Sequence, residues 1–146
     1  MLVLILVFID PQPPQGLTPV QWHNTCMRAL GEWLIPAGAQ IAVTDDRSKA
    51  HITITVAPIY PLRGKTRFPY HIEGVQLPVK GTWIFIDYGL VDCYPVLLHE
   101  IGHAIGLKHR TNSVMSFSPQ RLTHVDFQSI EELRNVIKAT CNIGPN

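Results

Sequence analysis

Charge is scarce in this sequence, and what there is cancels: 12 lysines and arginines face 11 aspartates and glutamates over 146 residues, leaving a net charge of +1. No basic run or patch is present, so the electrostatic footprint for nucleic acid or an anionic membrane surface is missing and neither partner is expected. Cysteine is scarce as well. Cys26, Cys93 and Cys141 are odd in number and widely spaced, which is not the pattern of a disulfide framework or a CxxC metal knuckle and makes buried thiols the simpler reading. Long hydrophobic runs are also lacking. The most apolar stretch, "MLVLILVFID" at the start, is too short to span a bilayer. It has no positive region before it and no small-residue cleavage site, and "PQPPQG" follows at once. It reads as a buried first strand ended by a proline-rich turn, and with the odd cysteine count it leans toward a cytoplasmic setting.

What is present is apolar: 46% of the residues are hydrophobic, enough in a chain of this length for one compact domain over 1–146, expected to act as a monomer. After the turn, Trp22, Cys26, Leu30, Trp33 and Leu34 recur at helical spacing. Thr18 is placed to cap that helix, Pro19 sits in its first turn, Gln21 completes a capping box, and Pro36 and Gly38 are expected to stop it. "AQIAVTD" and "AHITITVAPI" read as strands, the second with Ile52, Ile54 and Val56 alternating with threonines. Residues 60–80 hold three prolines and two glycines and read as a surface excursion with one short edge strand, followed by "GTWIFIDYGL" as a further strand. Asp92 and Pro95 open a second helix ending at Gly106. A cap pair of Thr123 and Asp126 opens a third, whose apolar stripe is Ile130, Leu133 and Ile137. The fold class is therefore α+β with an α/β-like upper part: a mixed sheet of four to five strands with three helices.

The chemistry lies in "LLHEIGHAIGLKH", residues 97–109. His99 and His103 are four apart, so on a helix they point the same way about 6 Å apart along the axis and can hold one ion between their ring nitrogens. Glu100 is rotated by about 100° from His99, which leaves its carboxylate beside the ion to handle the proton of a bound water. A catalytic zinc needs three protein ligands. Gly106 can take the positive φ that turns the chain so that His109 swings back toward the same ion. In a shuffled chain with seven histidines, five glutamates and ten glycines, HExxH arises about once in a hundred, and the full HExxHxxGxxH spacing in a few per hundred thousand.

HExxHxxGxxH followed by a methionine-containing turn resembles the metzincin zinc endopeptidases, and "HEIGHAIGLKHRTNSVMS" is most similar to their matrixin-like branch. The resemblance implies that His99, His103 and His109 bind one zinc ion and that Glu100 is the general base. It also implies that Met115 forms the hydrophobic floor under the metal, in a fold whose twisted sheet and helices lie above a cleft. Asp126 resembles the acidic residue that braces the methionine turn in matrixins, although a helix-capping carboxylate explains it equally well. Met115 comes only six positions after His109, which implies a short specificity-pocket wall. Ser116 follows it, so no tyrosine is offered as a fifth ligand. No cysteine-bearing inhibitory segment is expected ahead of the first strand, and neither calcium nor a second zinc is expected.

The function expected is hydrolysis of peptide bonds in an extended peptide substrate, which would lie antiparallel to an edge strand between about residues 72 and 79. Two alternatives stand beside it. One is a non-catalytic, zinc-stabilised binding module, disfavoured because structural zinc usually has a fourth protein ligand and has no use for Glu100. The other is hydrolysis of the peptide crosslinks of cell-wall material. His23, His51, His71 and His124 share no ligand spacing and read as surface or hydrogen-bonded histidines.

Overall fold

The computed structural model describes residues 3–110, 113–116 and 125–142. Its architecture is α+β, with three helices and a five-stranded mixed sheet among the described residues, as the sequence pattern implies. In chain order the elements are β1 (Val3–Ile9), α1 (Pro19–Ala37), β2 (Ala39–Val43), β3 (Ile52–Ala57), β4 (Gly64–Arg67), β5 (Thr82–Asp87), α2 (Tyr94–Ala104) and α3 (Phe127–Asn142). The sheet order is β2-β1-β3-β5-β4; α1 and α2 pack on the sheet and α3 packs on α1. β1 is parallel to β2 and β3, β3 is parallel to β5, and β4 runs antiparallel to β5 in a register that sets Gly64 against Ile86 and Arg67 against Trp83.

The opening apolar stretch forms β1, inside the sheet. Ile5, Val7 and Ile9 point to one face and join Ile52, Ile54, Ile84 and Ile86 in the core. Against them lie all five predicted residues of α1, Trp22, Cys26, Leu30, Trp33 and Leu34, each fully buried. A buried indole needs a partner for its N–H. Trp22 donates to Asp10 O at the end of β1 (2.9 Å), and Trp33 donates to Leu98 O in α2 (2.8 Å), so the two tryptophans tie α1 to the sheet and to the second helix. The Thr18–Gln21 capping box forms in both directions. No helix among the described residues is long and apolar enough to cross a membrane.

The structure moves several expected boundaries. Pro36 does not stop α1 but sits inside its last turn, and the helix ends at Gly38 with φ 100°. An interior proline costs about 3 kcal/mol. Burial of Trp33 and Leu34 in the turn beside it, at roughly 1.5–3 kcal/mol for each large side chain, outweighs that. The Pro36 carbonyl accepts from the Arg134 side chain of α3 (2.8 Å). Asp92 is not the cap of α2: the cap position is Cys93, whose side chain makes no capping bond. Thr123 lies outside the described residues, as does His124, whereas Asp126 does accept from Ser129 N (3.0 Å) at the start of α3. Ile130, Leu133 and Ile137 are buried as the stripe predicted, and Cys26 and Cys93 are buried thiols.

The edge strand is also displaced. It lies at Gly64–Arg67, not between 72 and 79. The backbone of the later stretch is engaged elsewhere: Gln76 N donates to Ile105 O at the end of α2 (3.0 Å). Pro78 can offer no ladder donor. The tetrad Gly-Lys-Thr-Arg carries little strand propensity, but its charged residues are what a solvent-facing edge favours.

Candidate metal centre

α2 is buried along almost its whole length, which is why its sequence is apolar all round except at the motif. His99 and Glu100 are only 7% and 6% exposed, and His103 is half-buried. The helix closes in a Schellman turn. Gly106, at φ 92°, donates to His103 O (2.9 Å) and Leu107 donates to Gly102 O (3.0 Å). Only glycine serves at 106, because a Cβ there would also run into the backbone carbonyl of Gly74. Beyond the turn the chain doubles back and brings His109, which is exposed, over the helix.

Three Nε2 atoms meet as a result. His99 and His103 are 3.1 Å apart, His99 and His109 3.1 Å, and His103 and His109 3.2 Å. Among the described residues this cluster of three is the one group that could hold a metal ion. The donor chemistry fits one. His99 Nδ1 donates to Val114 O and His103 Nδ1 donates to Leu107 O, both at 2.8 Å. A carbonyl can only accept, so in both neutral rings the proton sits on Nδ1 and Nε2 presents a lone pair. Lone pairs that close repel unless a cation lies between them. A tetrahedral ion with nitrogen ligands at about 2.0–2.1 Å sets those ligands about 3.3–3.4 Å apart, near the separations seen.

Electrostatics keep the rings neutral. Burial pushes His103 down to about 4, helped by the neighbouring imidazoles His99 and His109 and opposed by its bond to Leu107 O. Burial also lowers His99, reinforced by His109 against the bond to Val114 O. At neutral pH both are therefore in the form that binds metal. Glu100 goes the other way: burial raises its carboxyl to about 7, with a hydrogen bond from Thr66 pulling it down. Glu100 and the three histidines line one cleft of about 840 Å³, whose apolar walls include Leu62, Phe68, Ile72 and Val96.

Met115 is completely buried. Its sulfur lies against Gly102, one residue before His103, so closely that a Cβ on Gly102 would collide with it and would stand 3.1 Å from the Trp33 ring. The turn holding Met115 is cross-braced. Met115 N donates to Ser113 Oγ (3.0 Å), Ser113 Oγ donates to Asp126 Oδ1 (3.1 Å), and Arg110 N donates to Met115 O (2.9 Å). Arg110 also reaches Asp126 (3.6 Å) and Glu132 (3.5 Å) through its guanidinium. Asp126 therefore both caps α3 and braces the turn. The bracing reaches the metal centre, because Val114 in the same turn orients His99.

The other described histidines stay apart from the cluster. His23 is exposed, His51 accepts from Leu6 N (2.9 Å), and His71 faces Glu73 (3.2 Å). Sequence reasoning missed Ser113 and Thr66. Ser113 carries no signal beyond standing two residues before Met115, and Thr66 lies in a tetrad too polar to read as a strand. No family model matches the chain, and no curated protein matches it significantly.

Proposed function

We propose that this chain is a zinc-dependent endopeptidase of the metzincin type, matrixin-like, with His99, His103 and His109 holding one zinc ion, Glu100 as general base and Met115 as the apolar floor. The observation that carries the reading is the convergence of three histidine Nε2 atoms within 3.2 Å of one another, in the same cleft as a buried carboxyl. A fourth protein ligand, the mark of a structural zinc site, is absent from the cluster among the described residues. The ion supplies Lewis acidity, which brings the pKa of a water down to about 7 and polarises a carbonyl.

The rest falls to the chain itself. The Nδ1 bonds to Val114 O and Leu107 O hold two ligand rings in orientation. Glu100 accepts a proton from the attacking water at its carboxylate and hands it to the leaving amine nitrogen. Glu100 is only 6% exposed, beside apolar wall residues such as Val96, and that low-dielectric setting strengthens the charge interactions of its carboxylate. β4 ends the sheet, so an extended peptide can pair with its outer edge.

The test pairs elemental analysis with turnover of a broad quenched-fluorescent peptide library, for the wild type and Glu100→Ala, with and without a chelator. One equivalent of zinc with chelator-sensitive, Glu100-dependent cleavage supports the proposal. Zinc without cleavage points to a binding module. Activity on purified cell wall but not on gelatin or casein redirects the substrate to peptide crosslinks, and absence of bound zinc overturns the reading.

A further inference from the structure

We infer that Thr66, on the edge strand β4, is a positioning residue that fixes the orientation of the Glu100 carboxylate. The inference rests on the reading of Glu100 as the base. Along β4 the side chains alternate: Lys65 and Arg67 are exposed, the latter over the Phe85 ring, while Gly64 and Thr66 are half-buried on the opposite face, toward α2. Gly64 allows the approach, since a Cβ there would stand 2.8 Å from both Glu100 Cγ and Val96 Cγ1. Two residues on, the Thr66 hydroxyl lies 2.8 Å from Glu100 Oε1 and 3.0 Å from the main-chain oxygen of the same residue, and donates to both.

One hydroxyl proton shared between the two ends of Glu100 fixes the carboxyl relative to its own backbone, so the torsions between them are no longer free. Thr66 is the one hydrogen-bond partner of that carboxyl among the described residues. With Oε1 engaged, Oε2 is the oxygen left to take and return the proton. A buried carboxyl without this bond would swing among rotamers, and a misplacement of about 1 Å at a reacting group can cost a hundredfold in rate. The bond to the main-chain oxygen would be enough to dock the strand on the helix; the bond to Oε1 is the part that serves the base. Because Thr66 lies on the strand that borders the cleft, a peptide paired along β4 would share its register with the residue that holds the base.

The experiment compares Thr66→Val, which keeps the shape and removes the donor, with Thr66→Ser, which keeps the donor. Steady-state kinetics are measured on the wild type's best library peptide, and metal affinity by competition with a chromophoric chelator. We expect kcat of Thr66→Val to fall about 10–100-fold while KM and metal affinity stay within about twofold of wild type, and Thr66→Ser to regain most of the loss. Wild-type kcat in Thr66→Val would overturn the inference. So would equal loss in both variants, which would make the role one of packing, or a rise in KM alone, which would make it one of substrate docking. A wild type that binds metal and cleaves nothing removes the base itself and both readings with it; an active wild type beside an equally active Thr66→Val removes only this one.

Discussion

The two halves of the histidine cluster are built differently. His99 and His103 sit on a helix buried in the core, each ring held by a carbonyl. His109 stands exposed on the chain beyond Gly106, and its place depends on one glycine turn and on the brace running from Arg110 through Met115 and Ser113 to Asp126. The helical half is fixed by hydrophobic burial, which acts before any metal arrives. The loop half is fixed by a few hydrogen bonds, each worth about 1 kcal/mol net, and should be the half that metal binding orders further.

The largest effect should come from the rigid half. His103→Ala should lose metal binding altogether and with it any hydrolysis, whereas Glu100→Ala should keep the metal and lose turnover by orders of magnitude; metal content beside kcat separates the two. Gly106→Ala attacks the joint between the halves, forcing a side chain into φ 92° and onto the Gly74 carbonyl. A loss on the order of 1–3 kcal/mol in denaturant unfolding, with weaker metal binding, is expected. Gly102→Ala overpacks the contact with Met115 and Trp33, and a similar loss of about 1–3 kcal/mol should appear with the helix otherwise intact by circular dichroism.

Asp126→Asn tests the loop half, with a smaller effect. Although burial pushes the Asp126 carboxyl up, bonds from Ser129 and Ser113 and the charge of Arg110 hold it below the usual carboxylate value. A folded pKa below the unfolded one means that this stability is fully present above about pH 4 and is lost as pH falls through the folded value. The variant should therefore be less stable than wild type by about 1 kcal/mol at neutral pH, with the difference closing in acid, as urea titrations at pH 7 and pH 3 would read. An undiminished gap at pH 3 would show that the carboxylate charge is not what braces the turn.

Much of this was legible in the order of residues. α1, β3 and the stripe of α3 follow from apolar periodicity, β1 and β5 from runs of apolar and strand-forming residues, and the capping box from Thr18 and Gln21 three positions on. β4 was misplaced because its four residues have no periodicity of their own and pair only because β5 presents an open edge. The same reason hid Thr66, whose importance comes from a contact 34 residues away along the chain. The end of α1 was misjudged at Pro36 because a local rule about proline gave way to burial of its neighbours.

By itself, the sequence determined which groups are available and at what spacing: two histidines one helical turn apart, a carboxylate between them, a glycine to turn the chain and a third histidine to follow. Those are local facts, fixed by helix geometry and by the φ only glycine takes freely. The tertiary structure alone decided the environment of those groups. Burial of α2 holds the rings neutral and raises Glu100. The carbonyls of Leu107 and Val114 turn two lone pairs inward, and a strand distant in sequence supplies the hydroxyl that holds the carboxylate. Desolvation and hydrogen-bond direction depend on what surrounds a group in space, and spacing along a chain does not encode that.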